Sequence, residues 1–194
     1  MTDIDLRRRV TLGGLAAASV GINPAMAADD QPMTKAMVRA QLPVLARHEG
    51  VWEGTFRRYD PKGDKLAEFK ARIVTRLYGD ERMPKIYHQT NTYFLPDGKT
   101  QVIESPGEFR AGRLLFENER VKGWSTDDLT DPFKRTVFLY MEYVSDPGSY
   151  VYEMINISDD GRHRTRMTQF LKGGQTTMRT CIDETKVTDD WSKG

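Results

Sequence analysis

The segment HEGVWEGTFRRYD, His48 to Asp60, stands where a helical pattern ends and a two-residue alternation begins. Successive side chains on a strand point to opposite faces, so an inward Trp52 brings Gly54, Phe56 and Arg58 inward with it. An interior that receives both aromatic rings and an arginine is more than a packed core. The fold therefore turns on what surrounds this strand.

Upstream lies TKAMVRAQLPVLARHEG, Thr34 to Gly50. Met37, Val38, Leu42, Val44 and Leu45 form an apolar stripe, Thr34 is an N-cap, Pro43 predicts a kink and Gly50 a stop. Downstream, the turn sequences DPKGD, LPDGK, RAGR, SDPGS, SDDGR and LKGG recur at hairpin spacing. Between them the period is two, most cleanly in EFKARIVTR, where Phe69, Ala71 and Ile73 oppose Glu68, Lys70, Arg72 and Arg76. Strands are expected near 51–59, 66–77, 85–94, 100–109, 113–118, 120–126, 134–144, 149–158, 162–171 and 175–187. Tight turns with no helix between strands exclude a parallel sheet, and closure would remove the edges. The expectation is an all-β, antiparallel up-and-down barrel of about 8–10 strands with one N-terminal helix.

The chain has 194 residues, 38% of them hydrophobic, enough for one ordinary domain. Arg7, Arg8 and Arg9 precede the uncharged run VTLGGLAAASVGI, followed by Pro24 and Ala25-Met26-Ala27. That is the order of an export signal, too short for the roughly 20 residues of a spanning helix. Residues 1–27 are expected to be a signal peptide cleaved after Ala27, 28–33 a linker, 34–189 the barrel domain with its helix, and 190–194 a tail. The paired arginines resemble the twin-arginine export motif, which implies a periplasmic or secreted protein delivered by that route or the general one.

Three of the 29 basic and two of the 28 acidic residues lie within 1–27, leaving 26 of each. A neutral balance with interspersed signs offers no footprint for nucleic acid, and a cleaved signal leaves nothing to insert stably in a membrane. Cys181 is the only cysteine, so no internal disulfide can form. His48, His88 and His163 have no ligand spacing, and no metal is expected. Serine-hydrolase elbows, phosphate loops and dinucleotide fingerprints are absent.

A helix followed by Gly50-x-Trp52 at the first strand resembles the opening of the lipocalin, or calycin, superfamily. The resemblance implies that Trp52 closes one end of the barrel beneath an arginine of the last strand, for which Arg179 is at the matching place. HEGVWEGTFRRYDPKGD is similar to the start of uncharacterised bacterial calycin-like domains, and the likeness runs over most of 45–187. Nitrobindin-type haem barrels also begin Gly-x-Trp-x-Gly, as in Gly50, Trp52 and Gly54. Here Arg57 and Arg58 stand where that pattern continues with glycine, so no cofactor is expected and a haem-binding barrel is kept only as a third reading behind the two below.

The lumen is predicted from the strands. KIYHQTNTYF mixes neutral polar and aromatic residues on both faces, as a ligand-cavity wall would. TVFLYMEYV and YVYEMINIS are apolar on both faces, which calls for a cover by the helix or by a second subunit in a homodimer. In RHRTRMTQF, Arg164 and Arg166 share a face with Thr168 and Phe170, and an inward Arg166 would need Glu142 or Glu104 as partner. Two function classes follow. One is an exported carrier of a hydrophobic or amphipathic small molecule, anionic or aromatic, held by Phe56, Arg58, His88, Phe116, Tyr140, Tyr152 and Arg166. The other is a cofactor-free isomerase, cyclase or lyase with His88, Glu104 or Glu142 as base and Tyr87, Tyr140 or Tyr152 as proton donor.

Overall fold

The computed structural model describes residues 33–79, 85–110 and 112–194. The expected signal peptide and all of the expected linker but Met33 lie outside these residues. Two short helices, α1 (Lys35–Gln41) and α2 (Pro43–Ala46), lead into ten strands. These are β1 (Gly50–Tyr59), β2 (Lys65–Leu77), β3 (Tyr87–Phe94), β4 (Thr100–Arg110), β5 (Arg113–Glu117), β6 (Val121–Asp127), β7 (Thr136–Tyr143), β8 (Ser149–Ile157), β9 (His163–Lys172) and β10 (Gln175–Thr188). Each ends within two residues of its expected bounds. Every strand pairs antiparallel with its neighbours in sequence, and β1 pairs with β10 to close the barrel.

The helix breaks where its sequence says it must. Thr34 caps α1, its Oγ1 accepting from the Met37 amide at 3.2 Å. Leu42, at φ −129°, leaves the helical region because the ring of Pro43 disfavours it, and α2 restarts with Pro43 in its first turn. The cap that α2 lacks locally comes from across the fold: the Asp127 carboxylate, at the end of β6, accepts from the amides of Val44 and Leu45, both at 2.8 Å. Burial raises the pKa of Asp127 despite those two bonds.

The Gly-x-Trp-x-Gly spacing has a steric cause. Gly50 has φ +121°, and a Cβ there would meet the Thr188 carbonyl at 2.4 Å. At Gly54 a Cβ would meet the Asp183 carbonyl at 2.3 Å, so only glycine lets β1 and β10 approach so closely. Between the two glycines Trp52 is fully buried, and its indole N–H donates to the His48 carbonyl at 2.9 Å.

One expectation is corrected. The helix does not cover the outer faces of β7 and β8; α2 meets β6 and β7 at the Asp127 end, and Tyr152 and Met154 stay about 40% exposed. The tail beyond β10 folds back on the barrel. Trp191–Lys193 forms a 3₁₀ turn, the Trp191 ring lies edge-on to Tyr78 at 5.6 Å, and the Lys193 carbonyl accepts from Arg72.

Candidate functional site

Alternation fills the barrel with one side-chain set from each strand. Phe56 and Arg58 of β1, Tyr87, Gln89 and Asn91 of β3, Leu139 and Met141 of β7, Val151 and Glu153 of β8, and Arg164 and Arg166 of β9 border a cavity of about 210 Å³. Leu45 of α2 and His48 border it from the helix side. At the other side stand Arg58, Asn118, Tyr143 and the exposed Arg120.

The helix-side floor is a buried ionic network. Arg164 lies over Trp52 with its guanidinium carbon 4.3 Å from the ring centre, and its Nε donates to Glu184. Its Nη1 lies 3.0 Å from His48 Nδ1. Arg166 donates to Glu153 Oε1 from Nε at 2.8 Å, with its Nη2 2.7 Å from the same oxygen, and the Thr168 hydroxyl donates to the other Glu153 oxygen. Arg166 Nη1 stands 3.6 Å from Glu184 Oε1, an ion-pair distance too long for a hydrogen bond. Two guanidinium groups thus meet two carboxylates, and the network balances. Burial works against the charge of Arg166, but Glu153 and Glu184 outweigh it and raise its pKa above the ordinary arginine value.

His48 completes the floor. Burial first, and then the nearby Arg164, Arg166, Lys186 and Arg47 charges, push its pKa well below 6.5. The ring is neutral at pH 7 and accepts from Arg164 on Nδ1, which leaves the proton on Nε2. That nitrogen is buried without a hydrogen-bond partner.

Arg58 differs from Arg164 and Arg166. Its guanidinium carbon lies 4.9 Å from the Phe69 ring centre, and no carboxylate pairs with it among the described residues. Its Nε is buried with no hydrogen-bond partner. Beside it the Tyr143 phenol has its pKa raised by burial, an effect that Arg120 and Arg58 oppose. On this side of the lumen, no carboxylate among the described residues pairs with Arg58 or Arg120.

Along β3 the inward side chains form a file. The Tyr87 hydroxyl donates to Gln89 Oε1 at 2.8 Å, Gln89 Nε2 to Asn91 Oδ1 at 2.9 Å, and Asn91 Nδ2 to the Tyr93 hydroxyl at 3.1 Å. Burial raises the pKa of Tyr87 to about 12 and that of Tyr93 in the same direction. Tyr93 closes the aromatic cluster of Phe56 and Phe69, edge-on to both.

The predicted residues divide cleanly. Phe56, Arg58, Phe116 and Arg166 border the cavity. His88, Tyr140 and Tyr152 do not: each sits one position out of phase with the inward residues of its strand. His88 is on the outer wall, its Nε2 3.5 Å from Glu104 Oε2 and its Nδ1 3.2 Å from the Tyr78 hydroxyl. Glu104 sits at the cavity wall with its side chain 61% exposed toward that histidine. Tyr140 donates to the exposed Glu142 at 2.6 Å on the outer face, a bond that raises its pKa to about 12. Tyr152 is 41% exposed. The partners of Arg166 are Glu153 and Glu184, not Glu142 or Glu104. Nor is Arg179 the arginine over Trp52. It pairs in register with Tyr59, at the far end of β1, whereas β9 supplies Arg164.

Sequence reasoning passed over His48, Gln89, Asn91, Glu153 and Glu184. The alternation held the signal for four of them: Gln89 and Asn91 share phase with Tyr87, Glu153 with Val151 and Ile155, and Glu184 with Ile182.

The fold agrees with what comparisons find. Residues 38–189 match the model of the N-terminal domain of unknown function DUF3598. A DUF3598 protein of unknown function from Nostoc punctiforme superposes with a TM-score of 0.56 at 15% identity, over 75% of this chain and 50% of its own. This chain thus spans half the length of that relative. The S-type phycobiliprotein lyase from Guillardia theta gives 0.56 at 12% identity, over 81% of this chain and 95% of its own. Rv2717c from M. tuberculosis gives 0.52 at 14%, over 76% and 98%. None of the curated proteins matches the chain.

Proposed function

This chain belongs to the family of DUF3598 N-terminal domains, and we infer that its barrel binds a small amphipathic anion, with Arg58 receiving the acid group. One observation carries the reading: among the described residues Arg58 is a partly buried lumen arginine with no carboxylate partner, on the side where the exposed Arg120 also has none, while Glu184 and Glu153 match Arg164 and Arg166. A partly buried cation with unused donors gains most from an anionic guest, through charge-assisted hydrogen bonds. Phe56, Leu139, Met141 and Val151 supply the apolar surface for the rest of the molecule. A lyase built on the same barrel is consistent with a lumen used for a small molecule, and at 12% identity the likeness carries the fold and not the reaction.

Size narrows the guest. A cavity of about 210 Å³ lies below the roughly 300–1,000 Å³ of drug-sized sites, which favours one or two fused rings over a haem-sized macrocycle. Carriage is the better-supported use of the site. Of the acid–base groups of the enzyme reading, His88, Glu104, Glu142, Tyr140 and Tyr152 direct their side chains to the outer wall, and Tyr87, which faces the lumen, gives its hydroxyl proton to Gln89.

Calorimetry with 1-naphthoate and its methyl ester tests the proposal. Wild type should bind the acid more tightly. Arg58→Met should cost the acid about 1.5–3 kcal/mol, the scale of a hydrogen bond to a charged group, and the ester little. Equal losses for both would remove Arg58 from the site. Export is part of the same proposal. N-terminal sequencing of a periplasmic fraction should find a chain beginning near Ala28, and an intact Met1 in the cytoplasm or membrane would end it.

A further inference from the structure

Position around the ring of strands gives the lumen two unlike sides. In the order β1-β10-β9-β8-β7-β6-β5-β4-β3-β2, strands β3 and β8 are five places apart in either direction, so they face each other across the barrel. From β8 come Val151 and Ile155, with Leu139 and Met141 beside them on β7. Glu153, the one charged side chain on that part of the wall, is occupied by Arg166 and Thr168. From β3 come Gln89 and Asn91, with Ser105 of β4 beside Gln89 in register.

The file on β3 is not saturated. A carboxamide has two N–H donors and two acceptor lone pairs. Gln89 uses one acceptor for Tyr87 and one donor for Asn91; Asn91 uses one acceptor for Gln89 and one donor for Tyr93. The file fixes both amide planes and leaves each side chain one N–H and one lone pair at the cavity border. Such groups, held in line by their own hydrogen bonds, match a rigid partner with a donor and an acceptor side by side on one edge. An apolar edge pressed against them would strip their water without replacing it.

Building on the acid-binding reading, we propose that the barrel selects flat bicyclic acids whose ring edge carries adjacent donor and acceptor atoms, as in a lactam, with Gln89 and Asn91 reading that edge. The carboxylate goes to Arg58, the polar edge to β3 and the hydrocarbon edge to β7 and β8. The selectivity belongs to the wall and not to the charge.

A matched pair tests this: 2-quinolone-4-carboxylate and 1-naphthoate share ring size and acid group, and only the first has the lactam edge. Wild-type protein should bind the quinolone acid at least about tenfold more tightly by calorimetry. Asn91→Leu, close in volume, should erase the preference, weakening the quinolone acid while 1-naphthoate binds as tightly as before or more tightly, because its apolar edge no longer covers an unpaired amide. Should Asn91→Leu not fold, Gln89→Met, at a less buried position, should reduce the preference in the same way. Equal affinity of wild type for the two acids, or a preference that survives in a folded variant, overturns the proposal. If both acids bind through Arg58 without discrimination, only the wall assignment falls. If neither binds, the acid-binding reading falls with it.

Discussion

Arg164 caps Trp52: its guanidinium carbon stands 4.3 Å from the centre of the indole ring, on the helix side of the barrel, while Lys186 Nζ lies 4.8 Å from the same centre. The charge is held there by Glu184 and by His48, so the tryptophan serves as the platform of the buried network and not only as core. Trp52→Ala should therefore cost at least the 3–5 kcal/mol or so of a buried aromatic truncation. Chemical denaturation measures it, and an unchanged midpoint would show that the platform is dispensable.

Glu153 and Arg166 are the second test of that network. Glu153→Gln keeps an acceptor oxygen toward Arg166 but removes the charge, leaving Glu184 at 3.6 Å as its only carboxylate, and stability should fall by about 3–5 kcal/mol, as when one partner of a buried pair is removed. Adding Arg166→Met should restore much of the loss, because the neutral Gln–Met combination leaves no uncompensated charge. A double variant no more stable than Glu153→Gln would mean that the pair is not an isolated unit.

Acid should weaken the fold through His48. Its folded pKa lies below the unfolded value of about 6.5, so the unfolded chain binds the proton first. The contribution is complete above about pH 6.5 and declines as pH falls from there toward the folded pKa, by up to about 1.4 kcal/mol per pH unit. In His48→Gln, where the amide oxygen can still accept from Arg164, the slope of stability between about pH 6.5 and 5.5 should flatten. Equal slopes in the two proteins would assign the effect to other groups.

Gly54 tests why the opening motif needs its second glycine. A methyl group there meets the Asp183 carbonyl at 2.3 Å and Glu184 Cγ at 2.5 Å. Gly54→Ala should cost about 1–3 kcal/mol, the scale of overpacking, and should shift the β1–β10 amide resonances in an NMR spectrum. A silent substitution would imply slack in the closing seam.

The sequence by itself determined the element order, the ten strands, the antiparallel pairing and the broken helix. These rest on local rules: two-residue alternation, turn chemistry and the restriction that Pro43 places on Leu42. It also placed Phe56, Arg58, Phe116 and Arg166 inward, because one anchor residue sets the phase of a whole strand. The same rule misled where the anchor was ambiguous. Tyr87 against His88, and Leu139 against Tyr140, present aromatic or apolar residues on both faces, and composition alone cannot choose the phase. Only closure of the barrel chose it, by pairing β3 with β2 and β4, and β7 with β6 and β8, so that one side of each had to be the inside. Tertiary structure also decided the partners. Arg164 with Glu184, Arg166 with Glu153, and Asp127 with α2 join residues from 13 to 83 positions apart. Burial makes such polar groups find one another, but sequence distance carries no record of which ones do. The solitary Arg58 is legible only as the remainder once those pairs are known.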